Sequence, residues 1–165
     1  MFLSLRRVIL LMFLTVNLHA LTVESFVLEG DGTASFNFGK FEITGVELEN
    51  NILKFPLEKD EHKNIALLTK EFYKKLESCF AGRPAEPGGN KSIRLDVTDI
   101  YKAGKIYLAR VSFDDELLVT FIVSDNKYIT IRRPSDFIFK DKDFETALKS
   151  KIKEKYLEIK NESGQ

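Results

Sequence analysis

Thr69-Lys70-Glu71-Phe72 and Asp141-Lys142-Asp143-Phe144 are two versions of one short phrase, set 72 positions apart. In each, a side-chain oxygen acceptor stands directly before a run with helical periodicity, the arrangement that caps a helix N-terminus. Each phrase follows a meander of short strand-like segments, so the pair divides the chain into two tandem copies of one small unit. Upstream the correspondence continues: Leu21-Thr22-Val23-Glu24-Ser25-Phe26 aligns with Leu95-Asp96-Val97-Thr98-Asp99-Ile100, and Pro56 with Pro134. Repeats that need neighbours to bury a face usually run to more than two copies. A duplication within one architecture is therefore expected, and not a solenoid.

In the first copy, Leu21 to Glu29 alternates in part, and Glu29-Gly30-Asp31-Gly32 supplies a tight turn. Ser35 to Leu48 carries Phe36, Phe38, Phe41, Ile43, Val46 and Leu48, with a phase change near Gly39-Lys40 that predicts two strands or a bulge there. Ile52 to Phe55 is a short strand, and Asn64 to Leu68 leads into a helix from Thr69 to about Phe80. The second copy repeats the plan over Arg94 to Tyr101, Lys105 to Phe113, Glu116 to Val123 and Lys127 to Arg132, with Phe137 to Phe139 as a fifth strand. Its helix, capped by Asp141, carries Phe144, Leu148, Ile152, Tyr156 and Ile159 as one apolar stripe.

Turns of hairpin length cannot join parallel neighbours. The expected fold is therefore α+β: two tandem repeats, each a small, mostly antiparallel sheet followed by one C-terminal helix, arranged as a pseudo-dimer. The expected boundaries are a signal peptide over 1–20, a first repeat over 21–80, a Pro/Gly linker over 81–93, a second repeat over 94–160 and a disordered tail over 161–165.

The leader expectation rests on Arg6 and Arg7, the apolar run Val8 to Val16 and the small residue Ala20, the three-part pattern of an export signal. Cleavage after Ala20 gives a periplasmic or secreted protein with no stable membrane anchor. If translation starts at Met12 instead, both arginines and most of the apolar run are lost and the protein is cytoplasmic. Removing residues 1–20 subtracts two basic residues from a chain with 25 basic and 25 acidic side chains, leaving a net charge of about −2. That balance is unlike a nucleic-acid-binding domain as a whole, although a local basic face remains compatible with it.

Catalytic constellations are thin. With His19 in the leader, His62 stands alone to serve any Ser or Cys nucleophile, and the surrounding Asp60-Glu61-His62 lacks metal-ligand spacing. Cys79, the single cysteine, lies on the helical face of Phe72, Leu76 and Phe80 and reads as a buried thiol. Gly30-Asp31-Gly32 and Gly88-Gly89 lack the context of phosphate-binding loops, and Asp114-Asp115-Glu116 reads as a hairpin tip. No cofactor, metal or catalytic residue is expected. One pattern points to a ligand: Lys142, Lys149, Lys153 and Lys160 fall within about 40° of one another at roughly 100° per residue, a basic stripe about 27 Å long. Arg132 and Arg133 extend it. Such a face suits phosphate, acidic lipid headgroups or an acidic protein, and equally a solvated helix surface.

Val97-Thr98-Asp99, then Val111-Ser112-Phe113-Asp114-Asp115-Glu116-Leu117-Leu118-Val119, then Pro134-Ser135 before a capped helix, resemble the SpoVG septation-regulator family. Asn64-Ile65-Ala66-Leu67-Leu68-Thr69-Lys70-Glu71-Phe72 resembles the last strand and helix start of the same family, and the likeness extends over nearly all of residues 21–160. The resemblance implies a small antiparallel sheet with a C-terminal helix, dimer formation, nucleic-acid binding and control of septation: a binding protein and not an enzyme. Members of that family are single-copy and cytosolic. For a duplicated, exported chain the expected partner is an unidentified protein or envelope component, with nucleic acid a partner only if the chain is not exported. Two copies on one chain also give a monomer that is a pseudo-dimer.

Overall fold

The computed structural model describes residues 20–56, 64–83 and 92–162. The leader, most of the linker, His62 and the last three residues of the expected tail lie outside the described residues. Strands β1 (Ser25–Leu28), β2 (Ala34–Asn37), β3 (Phe41–Glu49), β4 (Ile52–Lys54) and β5 (Ile65–Leu67) precede helix α1 (Lys70–Phe80). Strands β6 (Leu95–Ala103), β7 (Ile106–Phe113), β8 (Leu117–Asp125), β9 (Ile129–Arg132) and β10 (Phe137–Phe139) precede helix α2 (Lys142–Glu162). The fold is α+β, with two antiparallel sheets and two helices.

The sheets exchange their last strands. One runs β1-β2-β3-β10 with β4 also on β3; the other runs β6-β7-β8-β5 with β9 also on β8. Phe137, Ile138 and Phe139 pair with Ile43, Glu42 and Phe41, and Ile65, Ala66 and Leu67 pair with Val119, Leu118 and Leu117. The flanking backbone bonds match as well. Thr44 N donates to Asp136 O at 2.9 Å and Lys140 N to Lys40 O at 2.9 Å, while Thr120 N donates to Asn64 O at 2.8 Å and Leu68 N to Glu116 O at 2.8 Å. Strand β5 thus leaves the half that encodes it, and β10 makes the return crossing.

Each helix packs mainly on its own half, and Phe144 of α2 also meets Phe41 and Phe139 of the first sheet. Phe80 of α1 meets Phe26 and Phe36 on the first sheet, and Phe72 meets Phe38 in the turn between β2 and β3. Helix α2 buries Leu148, Ile152 and Tyr156, and its Tyr156 ring lies 4.9 Å from Tyr107 of the second sheet. The apolar stripe read from the sequence is the buried one. Between the sheets lies a shared aromatic core: Phe41 is 4.8 Å from Phe137 and 5.1 Å from Phe113, and Phe121 is 5.7 Å from Phe137, centroid to centroid. Ring pairs at these separations add stabilisation beyond the area they bury.

One local expectation is met and one changes. The phase change at Gly39-Lys40 is the turn between two strands, β2 and β3, one of the two alternatives expected there, and a bulge lies further along, where β3 carries an extra residue opposite Ala34 and Phe36. Gly45 sits there with φ +71 and with Pro56 so close that an added Cβ would lie 2.9 Å from its ring. Left-handed backbone and the lack of room both select glycine. Asn161 and Glu162, expected to lie in a disordered tail, belong to α2.

Candidate anion-binding face

Helix α2 starts where the sequence placed it. Asp141 Oδ1 accepts from Phe144 N at 2.9 Å, and Asp141 also pairs with Lys40. Lys142 and Lys153 are exposed along the helix and Lys149 is half-buried, with Lys160 exposed near the C-terminal end. The geometry then divides the row. Lys149 Nζ lies 2.6 Å from Glu145 Oε1, one turn back, and Lys160 Nζ lies 2.5 Å from Asp125 Oδ2 at the end of β8. Lys142 and Lys153 have no carboxylate partner among the described residues. Exposed pairs of this kind are worth little in stability, but each still cancels a charge that an anion would otherwise meet.

The arginines divide in the same way. Arg132, exposed, closes β9 opposite Ile122. Arg133 turns its guanidinium onto the chain: Nη1 donates to the carbonyl oxygens of Pro134 at 3.0 Å, Ser135 at 3.3 Å and Phe137 at 2.5 Å. It holds the turn that delivers β10 to the first sheet, a structural task in place of the expected ligand contact. Of the six basic residues expected at this face, Arg132, Lys142 and Lys153 keep uncancelled charge on the surface.

Asp125 is the hub at the C-terminal end of the row. It accepts from Tyr156 Oη at 2.8 Å as well as from Lys160. The Lys160 bond comes first among the causes that hold its carboxyl below the ordinary range, and the same contact raises Lys160. Burial, then the bond to Asp125, pushes the Tyr156 phenol well up, so it stays protonated and donating.

A second feature escaped sequence reasoning because its walls come from three separate elements. Leu53, Phe55, Pro56, Ile65, Leu67 and Tyr73 line an apolar recess of about 470 Å³ between β4, β5 and α1. Tyr73 Oη sits at its wall, accepting from Leu53 N at 3.1 Å and donating to Asn51 O at 3.0 Å. Nothing local in the sequence marks these residues as a group.

Among the described residues, no group of three or more His, Cys, Asp or Glu side chains is arranged to hold a metal ion, and no helix is long and apolar enough to cross a membrane. Asp114 and Asp115 take φ +50 and +57 at the turn into β8, where Asp114 Oδ1 accepts from Arg94 N at 2.7 Å. The hairpin-tip expectation for that acidic run matches this geometry. Cys79 is buried on α1. No family model, curated protein or solved structure matches this chain.

Proposed function

We propose that the chain is an exported, non-enzymatic, SpoVG-like interaction protein of the bacterial cell envelope, linked to septation, which carries in one polypeptide the two-fold body its relatives form by dimerising. The observation that carries this reading is the reciprocal exchange of β5 and β10. Two strands traded in equivalent register, each followed by a capped helix that returns to its own sheet, are what a strand-swapped dimer becomes when its subunits are joined end to end. A body tied together in this way is a rigid platform. It offers a partner the open apolar recess of the first half and the basic face of the second. The test is recovery of the protein from its host with N-terminal sequencing and light scattering. A monomer beginning at Leu21 outside the cytoplasm is expected; a full-length soluble cytosolic product would end the export reading, and a stable dimer the pseudo-dimer.

A second reading, a cytoplasmic nucleic-acid-binding regulator, is favoured by the uncancelled charge of Arg132, Lys142 and Lys153. Contacts of that kind are made to phosphates, so binding would be strongest at low salt and fall steeply as salt is raised. Lys142→Glu with Lys153→Glu should abolish a mobility shift. Absence of any shift by the parent chain at low salt disposes of this reading.

A further inference from the structure

The described chain changes abruptly at one bond. Ala20 is exposed and Leu21 is 0% exposed, its side chain part of the core. Charged side chains from two different elements hold the Leu21 backbone: its N donates to Glu116 Oε2 at 2.7 Å, and its O accepts from Lys75 Nζ at 2.8 Å. Glu116 lies in the turn between β7 and β8, and Lys75 on α1. A half-buried carboxylate facing an amide is short of positive charge. Burial raises the Glu116 carboxyl, with Asp114 and Glu71 adding to the rise; the Leu21 bond and Lys75 offset it in part.

We propose that Glu116 is the seat of a new N-terminus: a leader peptidase cuts the Ala20–Leu21 bond, and the α-ammonium set free on Leu21 docks on Glu116 as an ion pair. The proposal rests on the export reading above. Hydrolysis gives the hydroxyl of water to the Ala20 carbonyl and a hydrogen to the Leu21 nitrogen, which as an amine takes up one further proton at neutral pH. The N–H that already points at Glu116 then becomes one donor of a cation. Charge-assisted bonds are roughly twice as strong as neutral ones, and this one forms beside a fully buried Leu21 side chain that fixes the nitrogen in place. Glu116, which the amine meets, itself feels two further carboxylates, Asp114 and Glu71, against the single ammonium of Lys75. Their balance favours the protonated amine. Cleavage thus removes the leader and also supplies the positive charge the precursor lacks at this point.

The test uses the full chain, produced in an exporting host and recovered from outside the cytoplasm. Intact mass should give a chain starting at Leu21. Its α-amine is then titrated by trace acetylation across pH, read by mass spectrometry. The expected result is an apparent pKa about one unit above the ordinary 7.7–8.0, a roughly tenfold loss of reactivity at neutral pH. In Glu116→Gln, which keeps the hydrogen bond and removes the charge, the titration should return to the ordinary range. The pH midpoint separates this effect from simple steric shielding, which lowers the rate at every pH. A chain processed at Leu21 whose amine titrates normally overturns the seat and leaves export standing. Processing at another bond does the same, and a chain recovered uncut overturns both. The parent titration alone decides the matter if Glu116→Gln does not fold.

Discussion

Helix α1 is tied to its surroundings at its entry by hydroxyl groups, whereas α2, nearly twice as long, is tied by carboxylates. Thr69 Oγ1 accepts from Phe72 N at 3.1 Å, and Tyr73 Oη bridges to the β3–β4 turn. In the second half, Asp141 caps the entry of α2 and pairs with Lys40, and towards the far end of the helix Asp125 gathers Tyr156 and Lys160. The two helices occupy corresponding positions after corresponding strands. One half is therefore anchored by groups that do not titrate in the acid range and the other by groups that do, so the backbone plan leaves the anchoring chemistry open.

The largest effects should come from the exchanged strands, which bind the halves into one unit. Phe137→Ala removes a fully buried ring that touches Phe41, Phe113 and Phe121 and should cost about 3–5 kcal/mol; Ile65→Ala, its partner in the other crossing, about 2–5 kcal/mol. Both variants should still unfold in a single calorimetric transition, because each sheet holds a strand from the other half. Two resolved transitions in either variant would separate the halves and break the comparison at its base.

At the caps, Thr69→Ala should cost about 1 kcal/mol in denaturant unfolding. Asp141→Ala should lower the midpoint further, because it removes the Lys40 contact along with the cap. Equal losses at the two sites would mean that the charge adds nothing. Acid should sharpen the contrast. Asp125 and Asp141 are held below the ordinary carboxylate range, first by Lys160 and by Lys40 respectively. Their stabilisation is present above the unfolded value of about 3.9 and is lost as pH falls through the depressed values. Amide-exchange protection, corrected for intrinsic rate, should therefore drop in α2 before α1 below about pH 4. Simultaneous loss would show that the carboxylates do not set the order. The smallest effect is Lys149→Ala, about 0.3–0.5 kcal/mol for one half-buried i,i+4 pair with Glu145.

Much of the fold was legible because its signals are local. Thr69 and Asp141 announce their helices by side-chain chemistry, and the short apolar, partly β-branched runs Ile106–Phe113 and Leu117–Asp125 mark strands without reference to any partner. The exchange was not legible. Periodicity gives a strand its two faces and says nothing of its neighbour, and Ile65–Leu67 is only three residues long. The basic row was half legible: Glu145 stands four residues before Lys149, a spacing visible in the sequence, while Asp125 reaches Lys160 across 35 residues. Glu116 was read as part of a turn, which it is; the contact that gives it a further part comes from Leu21, 95 residues away.

The crossing of β10 also sets a timetable. Lys40 and Asp141 flank that crossing 101 residues apart, so the first sheet stays open at the Phe41–Ile43 end of β3 until the segment carrying β10 has left the ribosome. A nascent chain must keep that flank from pairing with strangers throughout its synthesis, and it cannot lock into a compact body early. What is a closed knot of phenylalanines in the finished protein is, for most of its manufacture, a thread that a narrow passage could still admit.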